Sequence, residues 1–346
     1  MNTPAPDNGV EMAPWDPPGP EGIPAIRAVQ AQQMRRPQEI AQVAQVLAVG
    51  KGTLIPPSRG PLEAAQILCA EEHRRLTGAE LYFVAGDMVQ LAVTAGESLP
   101  DFHLEPEDVP SPTGFIVFAE PIGSYINTDT EPAVRIPIVA VSWGQFRPDA
   151  WPHGGVWVTY YAPTDIEGAE KVARRLTGRP MRPRERERLR ANRAPLTWDN
   201  EAFIGYGVDQ KADVKPGDSH GPGGSASAAP WLQTLRATWL LMNQGHIVEV
   251  DALAPDRAAV RRARREGLTP SPVRLIHLRR ATREQGAPEG DGAAREFTCR
   301  WMVRGHWRQQ WYPSRGVHRP IWINPHLKGP DDKPLRTGET VQIWDR

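Results

Sequence analysis

Residues 80–94 read ELYFVAGDMVQLAVT. Apolar and polar positions alternate, β-branched and aromatic types are frequent, and Gly86 breaks the run. The pattern predicts strand. Three shorter runs continue it: GFIVFA at 114–119, IPIVAVS at 136–142 and GVWVTYY at 155–161. Turn clusters such as PSPTG and RPDAWPHGG separate them. The block predicts an antiparallel sheet of four strands or more, covered by a helix at about 165–177.

Helices are expected upstream. Residues 37–49 place Ile40, Val43 and Leu47 at helical spacing after Pro37, a residue suited to a first turn. Residues 61–77 open with Pro61, carry Leu62, Ala65, Leu68 and Cys69 as a stripe, and stop at Gly78. Residues 1–33 are rich in Pro, Gly, Ala and Gln, with four prolines between Pro14 and Pro20. They predict a disordered leader.

Downstream, residues 181–194 are polar on every side, so a helix there is expected at the surface. The stretch DQKADVKPGDSHGPGGSASAA (209–229) has linker composition. After it, Pro230 opens a helix in which Leu232, Leu235, Trp239 and Met242 line one face, and Gly245 closes it. Strands are expected at 247–250, 273–280, 296–304, 319–325 and 341–345, with an arginine-rich helix from Pro255 to Glu266. The expected fold class is α+β: a helical N-terminal region, an antiparallel sheet, then a helix-plus-small-β C-terminal domain. The expected units are a leader (1–33), an α+β domain (34–208), a linker (209–229) and a second α+β domain (230–346).

The 346 residues carry 41 basic and 41 acidic side chains, 35 of the former arginine. With 36 Pro and 31 Gly, this composition fits a GC-rich coding sequence, and arginine abundance is discounted accordingly. The zero net charge hides an asymmetry. Residues 1–131 sum to −11, residues 171–195 to +8 and residues 256–319 to +9. Two later segments therefore attract polyanions that the first repels, unless these charges are solvated helix faces offset within the fold. Two cysteines, Cys69 and Cys299, support neither a disulfide scaffold nor a four-cysteine zinc site. No apolar run spans a membrane, no secretory signal is expected, and a cytoplasmic location follows.

The chemistry concentrates at 300–326, RWMVRGHWRQQWYPSRGVHRPIWINPH. Aromatic rings offer stacking faces, and interleaved arginines offer planar bidentate donors. That combination suits RNA and suits a protein interface equally. Core packing is the alternative for each tryptophan, but it does not account for Arg304, His306, Arg308, Gln309 and Gln310 lying so close together. Cys299, His306, His318 and His326 match no standard zinc spacing. His306 flanked by Arg304 and Arg308 could serve phosphodiester cleavage, though no nucleophile or second base is identified. No catalytic residue, metal or cofactor is assigned.

The same stretch resembles a mobile-element family, the second family of type V-A anti-CRISPR proteins. There a strand ends in a basic run and Gly-His-Trp, followed by a further aromatic, a glycine turn and a last strand with tryptophan. The correspondence runs through Arg304, Gly305, His306 and Trp307, then Trp311, the turn at Gly316, Arg319 and Trp322. Arg308 stands where the family often has a second histidine, and the sequence differs at Pro313 and before Trp322.

The resemblance implies a phage or plasmid regulator. Such a protein binds a target polypeptide as it leaves the ribosome, and the message is then lost. Implied partners are a nascent polypeptide or other protein target, with RNA or the ribosome; none is a membrane. Arg304, Gly305, His306, Trp307, Arg308, Trp311, Arg319 and Trp322 are the expected binding residues, converging on one accessible patch. A metal-independent ribonuclease and a non-enzymatic nucleic-acid binder for element maintenance are the alternatives.

Overall fold

The computed structural model describes residues 10–49, 60–127, 133–147, 152–207, 228–279 and 301–328. Cys299, the strand expected at 341–345 and most of the expected linker lie outside them.

A mixed sheet of seven strands organises the chain. An interior strand, β1 (Glu80–Val84), pairs in parallel with β2 (Thr113–Phe118) on one side and β9 (Val273–Leu278) on the other. Beyond β2 come β5 (Ala140–Phe146), β6 (Gly155–Pro163) and β7 (Leu196–Gly205), all antiparallel. Beyond β9 lies β8 (Val248–Leu253). A separate ribbon pairs β3 (Gly123–Asn127) with β4 (Val134–Ile138).

Helices cover both faces of the sheet, which explains why its strands read as continuous apolar runs. On one face Tyr82, Ile116, Phe118, Val141, Trp143 and Val158 meet helix α4 (Gly86–Glu97) and a later helix. On the other, Leu81, Phe115, Val117, Ala140 and Tyr161 meet α1 (Ile23–Gln33) and α3 (Pro61–Gly78), with α2 (Pro37–Val49) packed on α3. Two surface helices, α5 (Ile166–Thr177) and α6 (Pro183–Asn192), join β6 to β7. Then follow α7 (Ala229–Met242), the later helix on the first face, and α8 (Arg257–Arg265).

The α+β class stands, and the structure corrects several details. Residues 86–97 are helix, not a continued strand: Met88, Val89, Ala92 and Ala95 follow helical spacing and all are buried. The leader expected at 1–33 contains α1, in which Ile23, Arg27, Gln30 and Ala31 are buried. Pro24 sits in the first turn of α1, a position proline suits. In α3, Leu62 points to solvent, while Ala64, Leu68, Cys69 and Leu76 are buried. The segments on either side of 209–229 share one sheet, since β9 pairs with β1, and one core, since α7 packs on α4. Linker composition marks a connection; it does not decide what the flanking elements bury.

A polar cluster locks α3 onto β5 and β6. Glu72 and Arg75 are fully buried and ion-paired. Ser142 (2.5 Å), Thr159 (3.0 Å) and Tyr161 hydroxyls donate to the Glu72 carboxylate. Arg75 donates to the Trp157 carbonyl at 2.9 Å and to Thr159 Oγ1 at 3.1 Å. Gly144 leaves room for Arg75, whose Cδ would lie 2.5 Å from an added Cβ. A paired, hydrogen-bonded charge is the form in which burial is tolerated. Burial and the Glu72 charge push the Tyr161 phenol well above its usual range. Burial, with Glu39 and Glu72, pushes the Cys69 thiol up to about 12, which makes it unreactive.

A bulge between Tyr160 and Tyr161 leaves Asp199 of β7 without a register partner. Bulges re-aim side chains; here Asp199 Oδ2 accepts from the Tyr125 hydroxyl at 2.7 Å.

Glu72→Ala strands a buried guanidinium and should cost about 3–5 kcal/mol in urea unfolding; unchanged stability would refute the locking role. Burial raises the Asp199 carboxyl to about 6, above its unfolded value. The folded protein therefore holds that proton more tightly, and this group's contribution to stability falls as pH rises from about 4 to about 6. Melting curves of wild type and Asp199→Asn should diverge across that window, the variant losing less.

Candidate functional site: a two-faced hairpin

Residues 301–328 form one long antiparallel hairpin. At its base β10 (Trp301–Val303) pairs with β13 (His326–Lys328), and at its tip β11 (His306–Tyr312) pairs with β12 (Val317–Ile323). Val303 faces His326 and His306 faces Ile323, so the two ladders share one register across the pause. Pro325 lies in the pause, where it lacks an N–H to donate. Gly316, with φ 66°, closes the tip turn.

Directly opposed residues share a face, and successive residues alternate. Gly305, Trp307, Gln309 and Trp311 therefore lie on one face with Trp322, Pro320 and His318. Arg304, His306, Arg308, Gln310 and Tyr312 lie on the other with Ile323, Ile321, Arg319 and Val317.

The first face anchors the hairpin. Trp322 is only 2% exposed and belongs to the core cluster shared with α4 and α7. Its backbone N–H donates to Gln244 Oε1 at 3.0 Å, and Gln244 donates in turn to the Leu240 carbonyl at 3.2 Å. Trp307 packs edge-on against Trp322, centroids 5.3 Å apart, and its indole N–H donates to the Ala95 carbonyl at 2.8 Å. Gly305 is required by close approach: an added Cβ would sit 2.5 Å from Trp322 Cζ2. Beyond this support the same face emerges into solvent, where Trp311 lies 4.8 Å from the His318 ring.

Arg319 braces the hairpin from its other face. It is ion-paired with buried Asp108 and stands 4.0 Å from Glu107. Burial raises the Asp108 carboxyl, against the Glu105 N–H and the Arg319 guanidinium, which pull it down.

What remains open is a row that starts at Arg304, two residues before β11, and continues along that strand. Arg304, His306 and Arg308 are exposed, Gln310 is half-buried and Tyr312 is exposed. Arg308 donates to Gln310 Oε1 at 2.9 Å, and His306 Nδ1 lies 3.0 Å from the Arg304 carbonyl.

The eight expected residues thus divide. Arg304, His306, Arg308 and Trp311 reach solvent; Gly305, Trp307, Trp322 and Arg319 hold the hairpin to the body. Gln310 and Tyr312 complete the exposed row, and Gln244, Asp108 and Ala95 complete the anchor. Alternation is the signal that separates Arg304, His306 and Arg308 from Gly305 and Trp307; Trp311 and Arg319 are sorted instead by what lies beside them. Among the described residues no group of three or more His, Cys, Asp or Glu is placed to hold a metal ion, and no helix is long and apolar enough to cross a membrane.

No protein-family model matches the chain, and no curated protein matches it. Among solved structures it is similar to the one described as "Crystal structure of AcrVA2", at 11% identity over 88% of this chain and 98% of that chain, with a TM-score of 0.40.

Removing the anchor should separate from removing the tip. Trp322→Ala should cost about 3–5 kcal/mol and Gly305→Ala about 1–3 kcal/mol in chemical denaturation. Trp311→Ala should stay within about 0.5 kcal/mol. Equal losses at Trp322 and Trp311 would contradict the two-faced description.

Proposed function

We propose that this chain is an anti-CRISPR-like regulator from a mobile element that binds a target polypeptide through the free face of the hairpin and lowers that target's expression. It acts as a binding protein and not as an enzyme. The observation that carries this reading is the row Arg304, His306, Arg308, Gln310 and Tyr312. Its members recur at the strand's two-residue period, about 6.8 Å. An extended peptide repeats its side chains on the same period, so donors spaced this way meet successive groups on one side of such a peptide. A hairpin pinned at its base holds the row rigid before the target arrives, which limits the ordering cost of binding. The Gly-His-Trp motif and its spaced aromatics support the regulator class by their resemblance to the mobile-element family.

The test is recovery of bound molecules with the tagged protein from actively translating cells. Wild type should bring down nascent polypeptide. A variant combining Arg304→Ala, His306→Ala and Arg308→Ala should lose it by tenfold or more while melting like wild type, and the level of the captured target should rise when this variant replaces wild type. Capture that persists in the folded triple variant would reject the reading. Capture of RNA without polypeptide would reject it too.

A further inference from the structure

A two-stranded ribbon has two outer edges, and here they differ. In an antiparallel ladder, opposed pairs alternate between those that exchange backbone hydrogen bonds and those whose N–H and C=O groups point away from the partner strand. The Trp322 N–H leaves the ladder to reach Gln244 Oε1 at 3.0 Å. Trp307–Trp322 is therefore a pair of the second kind, and so, at the two-residue period, are Gln309–Pro320 and Trp311–His318. Pro320 agrees with that phase, since it has no N–H to give to β11.

On β12 the outward edge is obstructed. Pro320 offers no N–H and is buried, as is Trp322, whose N–H is taken by Gln244. On β11 the edge is open. Its residues are exposed or half-buried, and it contains neither proline nor bulge. Among the described residues, no group accepts from the backbone N–H of Trp307, Gln309 or Trp311. Gln310 closes the far end by donating to the Trp311 carbonyl at 3.1 Å. A regular strand edge with unpaired backbone groups is a template for a further strand.

Taking the hairpin as the peptide-binding element, on which this inference rests, we propose that the target polypeptide adds to the edge of β11 as a third strand, and that the added segment alternates carboxylate with apolar side chains. N–H and C=O groups alternating along an edge match the backbone of an extended peptide; a nucleic-acid backbone has no such alternation to return. Side chains of an added strand lie beside those of β11 on the same face. On one face they meet the exposed Arg304, His306 and Arg308. Among the described residues neither arginine is ion-paired, and β11 itself carries no carboxylate. On the other face they meet Gln309 and the open ring of Trp311. A second copy of β11 would set basic residues against basic residues, so the occupant is not this chain.

The experiment is fluorescence anisotropy of the full chain with labelled synthetic peptides as long as β11, joined to hydrogen exchange of the backbone amides. A peptide alternating glutamate and valine should bind, and should slow exchange at the Trp307, Gln309 and Trp311 amides by about tenfold or more. A peptide alternating lysine and valine should bind about tenfold or more weakly. N-methylation of one alternate set of residues in the glutamate–valine peptide should abolish binding and of the other set should not, because only one set turns its N–H to β11. Gln309→Pro removes an outward N–H and leaves the β11–β12 bonds alone. It should melt like wild type and weaken the peptide about tenfold or more, whereas Gln309→Ala should bind as wild type does. Strand addition is overturned if the glutamate–valine peptide does not bind, if both methylated peptides bind as well as the unmethylated one, if the lysine peptide binds equally well, or if protection of the three amides rises with protein concentration and not with peptide, as a second copy would cause. Capture of nascent polypeptide at the wild-type level by Gln309→Pro, with capture lost in the variant lacking Arg304, His306 and Arg308, overturns strand addition alone. Capture unchanged in both overturns the hairpin reading with it.

Discussion

The Glu72–Arg75 pair is the constraint around which the rest is arranged. Both groups sit in the dry interface between α3 and the sheet, and each is tolerable there only because the other is present. Their hydrogen bonds reach Ser142 on β5 and Thr159, Tyr161 and the Trp157 carbonyl on β6. One helix position therefore fixes the relation of α3 to two strands at once. Apolar packing alone would allow α3 to slide; a buried carboxylate with several fixed donors does not. With that face settled, the opposite face can accept α4 and α7, and these two helices supply the seat for the C-terminal hairpin.

The hairpin extends this hierarchy. Trp322 enters the core between elements that are already held, and Gln244, at the end of α7, satisfies its backbone N–H. Trp307 reaches the last turn of α4 through the Ala95 carbonyl. Arg319 ties the opposite face to Asp108, in the loop before β2. Three connections to three parts of the body leave the ribbon little freedom at its base, and the exposed side chains inherit that rigidity. The basic helix α8 packs instead with the α1–α3 side through Ala263.

Much of this was legible in the residues, and the failures have physical causes. Helices α2, α3 and α7 are punctuated by Pro37, Pro61, Pro230 and nearby glycines, and local chemistry was enough to place them. The run 80–94 carries both periods, and its second half became helix because α4 finds α7. Gly96 allows that approach, since an added Cβ would lie 2.9 Å from Thr234 Cα. No local signal announces such a meeting. Nor does one announce the parallel pairing of β1 with β9, which lies far along the chain. At the C-terminus the aromatic and basic residues stand out by type, but which of them face inward is set by the pairing of β11 with β12. Strand alternation then sends Trp307 inward and Arg308 outward.

A ribbon with some side chains built into the body and others turned to solvent divides its positions into two evolutionary regimes. Substitutions at Gly305, Trp307, Trp322 or Arg319 disturb packing or a buried charge, so drift there is checked by foldability alone, whatever the protein recognises. Positions 304, 306, 308, 310 and 312 meet no such check and are free to be rewritten. Exchanging a handful of outward side chains therefore rewrites this surface while leaving the architecture untouched.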